Sequence, residues 1–586
     1  MRTRGNSKTT RAKNDVALDA VQVLVLDCQT SGSHARTGHI IEIGWVVCGG
    51  GHHEKCRERI ETYLVQLPEG LSLSKRVQQV TGIAGDTLDT GISPRAAWEK
   101  LQRIARDTSR YNGSQTCPTI VHFSRFEEPF LRELHGRYTP HQTFPLEIIC
   151  THEISRRLFP ALPRRGIRAL AGFFGHGIRE RRCHGHIAAT VVIWRELTEL
   201  LRKKYRVSTI AQLRHWLATT PIHAHVYRSY PMERQKRRYL PDRPGVYRML
   251  RSNGDILYIG KAGSIRKRVN SYFTKRNHHA DHILEMLTQA KQIDVTETES
   301  ALEAAMLEAD EIKQQSPPYN RALQANERAV WFCTPDLREF GQRPNTRLTK
   351  GPFIRRERIV SLAAIRDMLK IPAGAWNEEA ALHACAVPEK YAPDIECIRA
   401  GCELFLHQNA DAFRSEPVEH ALASLGRKFW LQKTTERETC DDDDMQDHAP
   451  PQKWTPEMVA RIITANVRTG MHALRRAAWL VWLTESAFAW EESRDSKKHR
   501  YRLVFERGEI AHRQRILRTE DIGVPPGYKK RFQARQSSFD LATFDRMRVL
   551  LTEMRTVLNT GHWLAVRLGP KTVLEHNILE RILKWV

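Results

Sequence analysis

Pro244-Gly245-Val246-Tyr247, then Leu257-Tyr258-Ile259-Gly260-Lys261, then Ile265-Arg266-Lys267-Arg268-Val269-Asn270-Ser271-Tyr272-Phe273 decide how the middle of this chain folds. Gly245 to Leu250 and Ile256 to Ile259 are short β-rich runs. Between them lies Ser252-Asn253-Gly254-Asp255. An Asn-Gly pair between apolar residues predicts a hairpin, because both positions tolerate positive φ. Gly263-Ser264 then opens a helix with Ile265, Val269 and Tyr272-Phe273 on one side. Arg268 and Tyr272, four apart, share a face and can point at one site. A second helix begins near Ser300, where Glu303 completes a capping box. Its apolar positions, Leu302, Ala305, Met306, Ala309 and Ile312, follow helical spacing. Glu308 lies at the edge of that inner face, where a carboxylate is either paired or functional.

Such a set can hydrolyse a phosphodiester. A phenol orients or deprotonates a water, an arginine stabilises charge on the pentavalent phosphorus, and a carboxylate holds one divalent metal. The stretch resembles the GIY-YIG nuclease domain of the UvrC excinuclease subunit and its shorter relative Cho. Gly245-Val246-Tyr247 and Tyr258-Ile259-Gly260 stand at the two name-giving motifs, and Pro317-Pro318-Tyr319-Asn320 at the closing motif. The resemblance implies that Tyr247 is the general base and that Tyr258 and Tyr272 position water and phosphate. It further implies Arg268 as the electrophilic stabiliser and Glu308 as ligand to one Mg²⁺ or Mn²⁺. Lys261, Arg266, Lys267 and Asn320 are candidate DNA contacts; for the basic ones a solvated helix face is the rival reading.

The chain has 586 residues, with 92 Lys and Arg against 67 acids and a net charge of +25. Basic surface releases condensed counterions on binding DNA, so nucleic acid is the expected partner. Eleven scattered cysteines, an odd number without disulfide-module spacing, fit a reducing cytoplasm. No apolar run is long enough to span a membrane, and no secretory signal pattern precedes the first strand.

Toward the N-terminus, Val21 to Leu26 runs into Asp27-Cys28-Gln29, and Ile40 to Val47 is a second strand. Thr119 to Glu127 is a strand entering a helix. Together these resemble the DEDDh 3′–5′ exonuclease domain, an RNase-H-like fold also seen in the polymerase III ε subunit. That family holds two metals with four carboxylates. Here Gln29 replaces the second acid, and Glu127 stands for an aspartate. His184 is followed five residues on by Ala189, and the alternative register from His186 lands on Val191. A degenerate site is therefore expected at Asp27, Gln29, Glu127, His184 and Ala189.

The expected fold class is α/β multidomain: an RNase-H-like domain, a small α/β nuclease domain, then a mainly helical C-terminal region. The expected boundaries are a disordered basic tail over 1–20, the exonuclease-like domain over 21–200, a basic connector over 201–236 and the GIY-YIG domain over 237–325. A UvrC/Cho-like accessory region over 326–433, an acidic linker over 434–452 and a mainly helical accessory domain over 453–586 follow. The last domain shows one hairpin, Arg500 to Glu506 with Glu509 to Leu517, and a basic Lys529-Lys530-Arg531 run. Cys385, Cys397 and Cys402, with Cys333 distant, do not complete the usual four-thiolate set, so no iron–sulfur cluster is expected.

The expectation is a metal-dependent endonuclease that incises damaged double-stranded DNA in nucleotide excision repair, in the bacterial cytoplasm at the nucleoid. Damage would be selected by UvrA/UvrB-type partners. The rivals are a 3′–5′ exonuclease of the ε type and a non-catalytic DNA-binding repair scaffold.

Overall fold

The computed structural model describes residues 16–49, 59–178, 180–223, 227–274, 279–320, 328–371, 378–385, 393–414, 416–436, 454–494, 497–516, 539–568 and 572–586. The expected acidic run and the Lys529-Lys530-Arg531 run lie outside these residues, as do residues 1–15 of the expected tail. The protein is mixed α/β and divides into two compact units. One comprises Met1–Ala304 with Pro317–Arg321, the other Ala305–Ser316 with Ala322–Val586. Among the described residues no helix is long and apolar enough to cross a membrane.

The first unit opens with a five-stranded sheet in the order β3-β2-β1-β4-β5. Its strands are β1 (Gln22–Thr30), β2 (Ile40–Gly49), β3 (Glu61–Leu64), β4 (Cys117–Val121) and β5 (Leu146–Cys150). β2 runs antiparallel to β1, while β4 is parallel to both β1 and β5. Successive residues of a strand point to opposite faces, and β1 uses both. Val23 and Val25 pack with helix Cys183–Tyr205, whereas Leu24 and Leu26 pack with helices Pro94–Asn112 and Ser124–Tyr138. Burial on both faces explains the unbroken apolar run in the sequence.

Two expected boundaries shift. Helix Cys183–Tyr205 runs past residue 200, and helix Ile210–Thr219 follows it. Val207, Ile210, Leu213 and Trp216 are buried in the same core as Val23 and Trp194. The first part of the supposed connector therefore belongs to the exonuclease-like domain: its apolar side chains cover the sheet's helical layer. Ala17 bridges to Thr209 and Leu18 is buried, so the last residues of the supposed tail pack here too.

The nuclease-like part is a three-stranded antiparallel sheet in the order β7-β6-β8, with β6 (Gly245–Leu250), β7 (Ile256–Ala262) and β8 (Gln292–Glu297). The predicted hairpin joins β6 to β7, with Gly254 at φ +89° and Asn253 Oδ1 accepting from the Asp255 amide. Helix Asp281–Gln289 packs against helix Ile167–Phe173 of the exonuclease-like part. A Cβ on Gly172 would come within 2.6 Å of Gln289 Cγ. The Gln289 carboxamide is buried there and accepts from Arg251 Nε at 3.0 Å.

In the second unit, β9 (Trp331–Cys333), β10 (Phe340–Gly341) and β11 (Lys350–Phe353) form a small sheet. Six helices follow among the described residues, the longest being Pro456–Leu483 with Thr455 as its N-cap. The expectation of a mainly helical end with one hairpin understates the strands. The hairpin forms, but within a five-stranded antiparallel sheet in the order β14-β13-β12-β15-β16. These strands are β12 (Ser486–Arg494), β13 (Lys497–Glu506), β14 (Glu509–Ile516), β15 (Leu564–Leu568) and β16 (Thr572–Glu575). β12 pairs with β15 across a separation of more than sixty residues. Pairing at that range leaves no local periodicity to read.

Candidate active site

Tyr247 sits in the middle of β6 and is fully buried. Its ladder partner on β7 is Gly260, and Tyr258 lies two residues along on the same face. The glycine is required by packing. A Cβ at 260 would stand 2.5 Å from Tyr247 Cζ. Tyr272 follows helix Ile265–Ser271, whose first turn is capped by Ser264 accepting from the Lys267 amide. The Tyr247 and Tyr272 hydroxyls are 3.0 Å apart, and the rings of Tyr247, Tyr258 and Tyr272 stand 6.1 to 6.4 Å from one another. The Arg268 guanidinium lies 5.2 Å from the centre of the Tyr272 ring, and its charge acts on both the Tyr272 and the Tyr247 phenols. Burial, then the Tyr272 and Tyr258 phenols, push the Tyr247 hydroxyl well above its ordinary value, with Arg268 pulling the other way.

The capping box forms on its first side, the Glu303 amide donating to Ser300 Oγ at 3.2 Å. It starts helix Ala301–Gln315, which carries Glu308, a partly exposed carboxylate. The part of this helix in the second unit is held by two ion pairs. Lys313 Nζ lies 2.9 Å from Asp545 Oδ2, and Arg546 Nε lies 2.7 Å from Asp310 Oδ1.

The candidate DNA contacts divide. Lys267 is exposed and Lys261 partly so. Arg266 Nε donates to the Leu240 carbonyl at 2.7 Å, which ties its guanidinium to the fold. Asn320, expected as a DNA contact, is turned inward: it accepts from the Ile259 amide at 2.9 Å and donates to the Ile259 carbonyl at 2.8 Å. Residue 259 is buried, and an edge-strand backbone there needs partners. Sequence reasoning missed His279, which stacks on Tyr272 at 6.0 Å and bonds its carbonyl at 2.8 Å. No spacing rule announced it, because residues 275–278 separate it from the helix.

In the exonuclease-like part, Asp27 is buried near the end of β1. Gln29 Nε2 donates to Asp27 Oδ2 at 2.9 Å and lies 3.2 Å from His186 Nδ1, itself 3.3 Å from Asp27 Oδ1. The histidine brought to Asp27 is thus His186. His184 is exposed and lies 3.3 Å from Glu180. Cys183 anchors the helix inward, its thiol on the Asp27 carbonyl, and a turn of about 100° per residue carries 184 outward and 187 inward. Ala189 is a core residue. Glu127 is buried; burial, then the Asp27 charge, push its carboxyl well above the ordinary value. One of its oxygens has no hydrogen-bond partner among the described residues. Glu42, opposite Gln29 in the ladder, is engaged by Arg182 at 2.7 Å and by the Cys183 amide. This donor set does not fit two dications, since an amide N–H points at the Asp27 oxygen a metal would need. Cys385 and Cys402 are buried core thiols pushed up to about 12 by burial, and Cys333 belongs to a different core.

The phenol pair, arginine and small antiparallel sheet define a nuclease domain, joined to an RNase-H-like one. Residues 243–321 match the family described as UvrC-like GIY-YIG domain, and residues 24–189 the family described as Exonuclease. UvrABC system protein C of Alkalilimnicola ehrlichii is 43% identical over 103 residues, which are 18% of this chain and 17% of that protein. A Mycobacterium tuberculosis protein, named provisionally as a bifunctional exonuclease/endonuclease, is 26% identical over 367 residues, 60% of this chain and 53% of its own. Among solved structures, the GIY-YIG N-terminal endonuclease domain of UvrC from Thermotoga maritima, bound to magnesium, is 31% identical. It covers 15% of this chain and 93% of that one, with a TM-score of 0.14. The chain spans about half the length of the second relative and about a sixth of the first. It carries a UvrC-like GIY-YIG nuclease domain behind an exonuclease-family domain.

Proposed function

We propose that the chain is a metal-dependent DNA endonuclease of the UvrC type, incising one strand of damaged duplex DNA in bacterial nucleotide excision repair. The observation that carries this reading is the Tyr247–Tyr272 hydroxyl pair with Arg268 beside it. We assign Tyr247 the attacking water, as the general base the resemblance implies, with the Arg268 charge beside it easing loss of the phenol proton. Tyr258 and Tyr272 complete the rim that positions water and phosphate. Arg268, charged at any working pH, stabilises the negative charge that builds on phosphorus oxygens. Lys261 and Lys267 meet flanking phosphates.

Glu308 offers one hard carboxylate donor. Mg²⁺ is commonly held by one or two carboxylates, with waters and substrate phosphate completing its shell, so the donor chemistry fits a single dication. When bound, such an ion polarises the phosphate and eases departure of the leaving oxygen. The exonuclease-family domain serves in this reading as a binding platform, because Gln29 occupies Asp27. Damage is selected by UvrA/UvrB-type partners, in the cytoplasm at the nucleoid.

The test uses an end-labelled duplex with one bulky adduct, Mg²⁺ or Mn²⁺, and damage-recognition proteins present or absent. The expected product is a single internal nick, lost in Glu308→Gln. A ladder of 3′-shortened strands, lost in Asp27→Ala but kept in Glu308→Gln, would move the chemistry to the first domain.

A further inference from the structure

The second unit holds a cavity of about 1090 Å³ that the nuclease reading does not use. Its lining combines leucine and isoleucine side chains with Trp479, Trp482 and Trp585. Trp482 is 45% exposed, and its ring stands 5.9 Å from that of Trp479 at 65°. A large aromatic left in water beside a cavity marks a surface built to be covered. Arg427 and Arg475 also line it and are exposed. Arg475 lies 6.0 Å from the Trp585 ring centre.

The charges here are unbalanced. Among the described residues, neither Arg427 nor Arg475 has a carboxylate within ion-pair distance. Burial and the neighbouring Arg427 hold the Arg475 guanidinium below its ordinary value. The carboxylate in the lining, Glu419, is engaged by Lys370. Two guanidiniums set near each other without an acid call for an anion with several acceptor oxygens. Flat indole faces beside them suit a planar heterocycle.

We propose that this cavity binds nucleotide units of an unpaired DNA strand, with phosphate on Arg427 and Arg475 and a base against the exposed face of Trp482, which Trp479 backs from the core. The phosphate requirement distinguishes it from a site for an aliphatic peptide, which would leave both guanidiniums without a partner. The volume lies at the upper end of the range for ligand pockets and leaves room for a nucleotide unit. The assignment rests on the lining and its charge, and stands apart from the nuclease site.

The experiment uses the full chain in EDTA and a short oligothymidine carrying 5-iodouracil and a 5′-phosphate. Irradiation should crosslink the base to the peptide bearing Trp479 and Trp482, identified by mass spectrometry. Trp482→Ala and the Arg427→Gln/Arg475→Gln pair should each lower crosslinking and affinity about ten-fold. Thymidine monophosphate at equal concentration should compete more weakly than the strand; equal competition overturns the strand in favour of a free nucleotide. Crosslinks confined to tryptophans outside the cavity, or a hexaglutamate peptide that displaces the strand, overturn the proposal. The same variants are assayed for nicking with Mg²⁺. Crosslinking unchanged in both variants sinks only this proposal, and a wild-type chain that crosslinks the strand but does not nick sinks only the nuclease reading.

Discussion

The hydroxyls of Tyr247 and Tyr272 meet at 3.0 Å because residue 260 opposite has no side chain. The contact joins strand β6 to the end of helix Ile265–Ser271, elements separated by the hairpin. Gly260→Ala should disturb it through packing, destabilising by about 1–3 kcal/mol and slowing nicking. Tyr272→Phe should instead cost about 1 kcal/mol in stability while slowing nicking. Arg268→Ala should lower the nicking rate about 10²–10³-fold with DNA binding retained. Thermal melts and single-turnover nicking on one substrate check all three; unchanged nicking by Arg268→Ala would remove the arginine from the mechanism.

Asn320→Ala should act on stability rather than on DNA affinity. It strands the buried amide and carbonyl of Ile259, and leaving such groups unpaired costs about 1–3 kcal/mol each. Urea unfolding should show a lower midpoint at unchanged slope. Normal stability with weakened DNA binding would restore the role first expected for Asn320.

Glu127 predicts a pH dependence of known sign. Its carboxyl is held above the ordinary 4.5 by burial and by Asp27. The folded state therefore favours the protonated form. Stability from this group is full below pH 4.5 and falls as pH rises through the raised value. Glu127→Gln should melt with the wild type at pH 4 and above it at pH 8. A variant that melts below wild type at pH 8 would mean the ionised carboxylate is stabilised there.

Asp545 is fully buried and lies 2.9 Å from Lys313 and 3.3 Å from Arg328. It thereby fixes the helix that carries Glu308. Asp545→Asn removes the buried charge that Lys313 and Arg328 face and should destabilise by about 3 kcal/mol. Nicking should fall with it, and raised Mn²⁺ should recover part of the rate, since the altered element is the helix bearing the metal ligand. Full nicking at ordinary metal concentration would show that the helix holds Glu308 without Asp545.

Much of the nuclease domain was legible because its signals are local. Asn253-Gly254 announced the hairpin, Ser300 the helix start, and the spacing of Arg268 and Tyr272 their shared face. The sequence offers His184 and His186, and neither is followed by an acid five residues on, so spacing does not choose between them; the structure brings His186 to Asp27. Only the inward packing of Cys183 sets the helix rotation. The 201–219 stretch reads as basic connector because Arg202, Lys203, Lys204, Arg206 and Arg214 are interspersed with the apolar residues that reach the core.

Sequence alone determined the class of chemistry here: which residues carry phenol, guanidinium and carboxylate, in what order, and that Gln29 stands where an acid was expected. Those are properties of covalent identity and short spacing. Tertiary structure decided what each group faces. It turned Asn320 inward, gave Asp27 to Gln29 and His186, and raised Tyr247 by burying it among phenols. It also paired β12 with β15 and gathered tryptophans and arginines around one cavity. Burial and long-range pairing depend on residues far apart in the chain, so no local window of sequence contains them.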